Sequence, residues 1–150
     1  MRRQILTRAA AVLSVIISLL LVAYELRQNR IVAEQAAYQA FVDGVSEHSR
    51  MVVDDPELAS LIVRVQDGAL PEDLSREDNV RMSFFFASLL RQWEGLFRSV
   101  RIGVLSERDL DMVGGGGAFA NAYFRASWPS VRNSLSDDFV LFVEQNWMVE

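Results

Sequence analysis

The stretch that decides the fold is Arg2–Arg50, RRQILTRAAAVLSVIISLLLVAYELRQNRIVAEQAAYQAFVDGVSEHSR. Arg2, Arg3 and Arg8 precede a 16-residue run, Ala9 to Tyr24, with no charge and only Ser14 and Ser18 as polar members. Charge returns at Glu25, Arg27 and Arg30 without a Pro or a turn cluster. Such a run reads as a membrane helix, and the missing breaker predicts that it continues directly into a soluble amphipathic helix. Sixteen residues span about 24 Å against a hydrocarbon core of about 30 Å. Ile5 and Leu6 extend the span if Arg8 reaches back toward the headgroups. Tyr24 suits the opposite interface.

Basic residues ahead of an apolar run also describe a secretory signal. Cutting after Ala23 would put Leu21 where a small side chain is required, and Ala33, Ala36 and Ala37 lie in a charged helical pattern. The expectation is an uncleaved anchor over residues 1–24, in a bacterial inner membrane crossed once. Three arginines and the amino group flank it on one side, Arg27 and Arg30 on the other. That small imbalance favours the N-terminus inside and the domain outside the cytoplasm.

Residues 25–53 are expected to carry the helix onward. Tyr24, Ile31, Tyr38, Val45 and Val52 recur every seven residues, with Phe41 and Val42 between them. Two ridges of small residues recur every four: Ala10, Ser14 and Ser18 in the apolar run, and Ala36, Ala40 and Gly44 beyond it. Small residues at that spacing let helix backbones approach closely. These six are the candidate helix–helix interface, with homodimerisation or docking to a partner helix as the functional reading. The alternative is that the soluble ridge packs on its own domain.

Residues 54–150 read as a compact bundle of four to five helices, giving an all-α fold. Asp55 is placed to cap a helix with Pro56 at its first position and Glu57 facing the helix dipole. Leu58, Leu61, Ile62 and Val65 give helical spacing, and Gly68 ends it. Ser75 with Asp78 starts a long helix to about Ile102, with Met82, Phe86, Leu89, Trp93, Leu96, Phe97 and Val100 as one apolar stripe. Phe84, Phe85 and Leu90 widen the stripe, so this helix is expected to be central and covered on more than one side. Glu77–Arg81 and Glu94–Arg98 are expected as ion pairs on its outer face. Ser106 with Asp109 opens a short helix, Gly114 to Gly117 are expected to break it, Ala118 to Trp128 resume, and Pro129 stops them. Ser136-Asp137-Asp138 caps a last helix carrying Phe139, Val140, Phe142, Val143 and Trp147.

Composition excludes several chemistries. With no Cys there is no disulfide, thiolate site or Cys nucleophile. All 15 basic residues are Arg, so Schiff-base and phosphate-loop lysines are absent as well. Beyond residue 24, 12 arginines face 20 acids, a net −8 that argues against a nucleic-acid partner. His48, the single histidine, has Asp43 and Glu47 on its helix, but no Glu-x-x-His pair of a di-iron bundle and no nucleophile elbow accompany it. The Asp54-Asp55 and Asp137-Asp138 pairs sit where helix starts want negative charge. The glycine run lacks the preceding strand and the Lys of a phosphate loop. The aromatic stripe, with Trp128 and Trp147, reads as core or as the lining of an apolar pocket.

Asp55-Pro56-Glu57-Leu58, Phe85 to Gly103, Trp128 and Ser136 to Phe139 occur here in an order that resembles small bacterial single-pass membrane proteins with a helical domain. That resemblance implies a membrane anchor and an all-α domain, and no activity, catalytic residue or cofactor. The function expected is a membrane-anchored interaction or structural module whose partner is a second copy or another membrane protein. A ligand-binding or sensory domain is the second reading and an enzyme the third.

Overall fold

The computed structural model describes the backbone of residues 2–111 and 115–148, and the side chains of residues 11–110 and 116–148. The described residues are all-α: seven α-helices and no strand. In chain order these are α1 (Arg2–Asp54), α2 (Pro56–Gln66), α3 (Arg76–Arg101), α4 (Glu107–Asp111), α5 (Gly115–Ala118), α6 (Ala122–Val131) and α7 (Asp137–Asn146). Short 3₁₀ turns at Pro71–Asp73 and Arg132–Ser134 lead into α3 and out of α6. The chain divides into two units, Met1–Ala36 and Ala37–Glu150.

The described residues of the first unit all lie within α1. No residue from Ala11 to Ala36 is buried, and Leu20 is 66% exposed. Side chains here bond along their own helix: Ser18 Oγ donates to the Ser14 carbonyl at 2.9 Å, and Gln28 Nε2 to the Tyr24 hydroxyl at 3.0 Å. By length and composition α1 can cross a membrane, with its apolar window wholly unburied.

In the second unit α3 is central. Its Phe86, Leu90, Trp93, Leu96 and Phe97 pack with Leu105, Leu110, Phe119, Trp128, Phe139, Val140 and Val143, while Ala37 and Phe41 of α1 lean on the same core. Met82, one turn before Phe86, belongs to a second core with Leu58, Leu61 and Val65 of α2, Leu74 and Tyr123. Full burial of such side chains contributes about 1.5–3 kcal/mol each, which is why a helix touching both cores holds the unit together. The turn chemistry follows the sequence closely. Asp55 Oδ1 accepts the Glu57 and Leu58 N–H groups at 3.0 Å with Pro56 at the first helical position. Gly68 and Gly103 close α2 and α3 with φ of 101° and 74°, a region in which a side chain is strained.

Four local expectations are corrected. Gly115–Gly117 are helical within α5 rather than broken, while Gly114 lies outside the described residues. Trp147 packs on this turn, its Cδ1 3.4 Å from where a Gly116 Cβ would stand, so tertiary contact holds a turn that propensity disfavours. Pro129 lies inside α6 and does not end it. The buried Ser127 and Trp128 keep that segment on the core, and the helix tightens into 3₁₀ only at Arg132, three residues after the proline. Phe84 does not widen the buried stripe, because at 74% exposed it faces away from both cores. Glu94 is not on an outer face: it is 4% exposed and held among partners from α3 and α7.

Candidate functional site

The six interface candidates fall in different surroundings. Ser14, Ser18, Ala36 and Ala40 are exposed, and the Ala10 side chain lies outside the described residues. Gly44 abuts its own chain. A Cβ there would stand 2.5 Å from Gln92 Nε2, and that amide donates to the Phe41 carbonyl at 2.9 Å. Gly44 therefore lets α1 approach α3. Tyr38 and Ala40 are two residues apart, roughly 160° around a helix of 3.6 residues per turn, so the heptad stripe and the small-residue ridge are different faces.

His48 sits at the same α1–α3 contact. Its Nδ1 is 2.8 Å from the Gly44 carbonyl, which can only accept, so Nδ1 carries a hydrogen. Nε2 is 2.8 Å from Ser88 Oγ, and that hydroxyl is also 2.7 Å from the Phe85 carbonyl. The Phe85 ring meets the imidazole edge-on at 5.8 Å. With both nitrogens engaged, the ring has no open position for a metal. Asp43 accepts from Gln39 and Glu47 pairs with Arg50, so neither carboxylate joins it. Ser88 and His48 are at nucleophile–base distance, but Ser88 is mid-helix, where backbone N–H groups serve helical carbonyls rather than an oxyanion. The arrangement fastens two helices together. Among the described residues no group of three or more His, Asp or Glu is placed to hold a metal ion.

One member of each acidic pair is also spoken for. Asp55 caps α2, and Asp138 lies 3.6 Å from Arg101 at the first turn of α7. The aromatic residues fill one another's space: Trp93 meets Trp147 edge-on at 5.5 Å, Phe119 meets Trp128 at 5.4 Å, and Phe97 lies 5.5 Å from Phe139 and 5.1 Å from Phe142. They form a packed core. The Trp128 indole N–H donates to Glu144 at 3.0 Å, and Glu144 also pairs with Arg132.

Sequence reasoning missed two features. The first is Glu94. Its Oε1 accepts the N–H of Ser136, the residue before α7, at 2.8 Å, while the Ser136 side chain makes no capping bond to that helix. Arg91 and Arg98 reach the same carboxylate at 3.0 and 3.1 Å. Burial pushes the carboxyl up, but the Ser136 side chain and N–H, Arg91 and Arg98 outweigh it and hold Glu94 below the usual carboxylate range. A Glu with Arg at i−3 and i+4 was the available signal, and it fits an exposed pair equally well. The second feature is a surface groove of about 680 Å³ between the Pro71–Asp73 turn with the first turns of α3 and the end of α6. Of the aromatic stripe only Phe84 lines it.

No protein-family model matches the chain, no curated protein matches it, and no solved structure matches it.

Proposed function

We propose that the chain is a single-pass membrane protein whose helical unit is an interaction module, paired through α1 with a second copy of itself. The observation that carries the membrane reading is the run from Val12 to Leu26, where Val, Leu and Ile side chains are exposed all round the helix. Water penalises such a surface by roughly 25 cal/mol per Å², and a bilayer removes that penalty. The membrane is a bacterial inner membrane with the second unit outside the cytoplasm, on the balance of flanking arginines.

Beyond the membrane, α1 still shows apolar residues that its own domain leaves uncovered: Ile31, Tyr38, Val42 and Val45. A seven-residue spacing of such residues is the pattern of a helix that supercoils with another. Two copies anchored by the same segment present this stripe in parallel and at equal height, so identical residues meet. The catalytic alternative has little to rest on, since His48, Asp55 and Asp138 already serve the fold.

The absence of Cys makes the test clean. In inner-membrane vesicles, the chain is expected to resist alkaline carbonate extraction. Oxidation should give disulfide-linked dimers for Tyr38→Cys and Val45→Cys, and none for Glu47→Cys on another face. Crosslinking at Ala40→Cys alone would move the interface to the small-residue ridge. Adducts only with other membrane proteins would replace self-pairing by a foreign partner. Crosslinking at none of these positions, or extraction by carbonate, would overturn the reading.

A further inference from the structure

The groove beside α3 belongs wholly to the second unit and does not depend on the α1 stripe. Its floor is Leu74, Val80, Phe84 and Val131. Two of these are left largely in water, Phe84 at 74% and Val80 at 50% exposure, on the first three turns of a helix whose other apolar residues are buried or half-buried. The volume, about 680 Å³, falls among pockets that take molecules of a few tens of heavy atoms. Glu72 and Arg76 line the end where the Pro71–Asp73 turn meets α3. Both are exposed, and neither makes an ion pair among the described residues, with each other or with another group, although Asp73, Glu77 and Asp78 nearby are all engaged.

An apolar trough that ends in one unpaired cation and one unpaired anion has a definite complement. A plain anion would satisfy Arg76 and be repelled by Glu72, and a neutral acyl chain would use neither. We propose that the groove binds a zwitterionic single-chain amphiphile, its apolar chain on Val80, Phe84 and Val131, its phosphate on Arg76 and its ammonium on Glu72. Lysophosphatidylethanolamine has this chemistry.

The test places the full chain in phosphatidylcholine nanodiscs and adds lysophosphatidylethanolamine with a diazirine in its acyl chain. Photolysis followed by peptide mapping should label Val80, Phe84 and Val131, and excess unlabelled lysophosphatidylethanolamine should suppress that label. Monoacylglycerol, which lacks both charges, should compete poorly. Arg76→Ala and Glu72→Gln should each weaken groove labelling roughly fivefold, the scale of one partly exposed charge pair. Lysophosphatidylglycerol, which lacks the ammonium, should bind the Glu72→Gln variant better than the parent chain. Phe84→Ser, at an exposed position that the fold does not use, should abolish groove labelling with the circular-dichroism spectrum unchanged. Label confined to residues 9–24 would overturn the proposal, as would groove labelling indifferent to both charge variants, which would mean any apolar chain suffices.

Discussion

The run from Val12 to Leu26 and helix α3 each carry twelve apolar residues, and these meet opposite fates. In the run, Val, Leu and Ile side chains stand all round the helix and none is buried. In α3 apolar side chains recur at Met82, Phe86, Leu90, Trp93 and Phe97, and the protein covers every one. The number of apolar residues is therefore not what distinguishes a helix of the core from one that needs another solvent. Periodicity is: a stripe can be satisfied by neighbours on one side, whereas an unbroken apolar cylinder needs a surrounding phase.

The comparison is broken most severely at Phe86. Its side chain is fully buried and meets Phe119 at 5.8 Å and Phe124 at 4.3 Å. Phe86→Ala is expected to destabilise the second unit by about 3–5 kcal/mol, read by denaturant unfolding of the detergent-solubilised chain followed by near-ultraviolet circular dichroism. A loss under 1 kcal/mol would mean that α3 is not the central helix.

In the other region, Leu20→Arg is expected to cost about 2.5–3.5 kcal/mol of membrane insertion and to leave the unfolding midpoint of the second unit unchanged. Fractionation of the variant between membrane and soluble pools reads the first effect. Undiminished membrane association would refute the anchor.

How far each region could be read beforehand follows from the range of the forces involved. The Asp55-Pro56 cap, the Gly68 and Gly103 stops and the α3 stripe are set within a few residues, and all stand where the spacing put them. Glu94 is set from 42 residues away by the start of α7, so its neighbours Arg91 and Arg98 could not tell a buried clamp from a surface pair. The same holds for Gly115–Gly117, which are helical beside Trp147, and for Gly44, whose small-residue spacing is equally apt for a partner helix and for Gln92 of its own chain. The groove could not be read from sequence, since its two walls are about 50 residues apart along the chain.

Glu94 gives the next prediction. Glu94→Ala leaves the Ser136 N–H without its acceptor and is expected to cost about 1–3 kcal/mol. The sign of the pH effect follows from the direction of the shift. The folded carboxyl titrates below the unfolded one, so its stabilisation is fully present above the ordinary carboxylate range and is lost as pH falls through the lowered folded value. The stability difference between the parent chain and Glu94→Gln should therefore shrink as pH falls through that window. A difference that stays constant there would show that Glu94 acts by packing and not by charge.

The smallest effect is expected two residues from the largest. Phe84 and Phe86 share a residue type, a helix and nearly a position, but differ in exposure from 74% to 0%. Removing an exposed ring creates no cavity and strips no partner, so Phe84→Ser should change the unfolding free energy by no more than about 0.5 kcal/mol. Burial therefore predicts a strong asymmetry between two substitutions on opposite faces of one helix. A Phe84→Ser loss approaching that of Phe86→Ala, in detergent and without added lipid, would mean that something in the assembled protein already covers the ring. In that case the free face of α3 would be a protein interface, and the distinction between helices satisfied by their own fold and helices awaiting another phase would have to be redrawn along α3 itself.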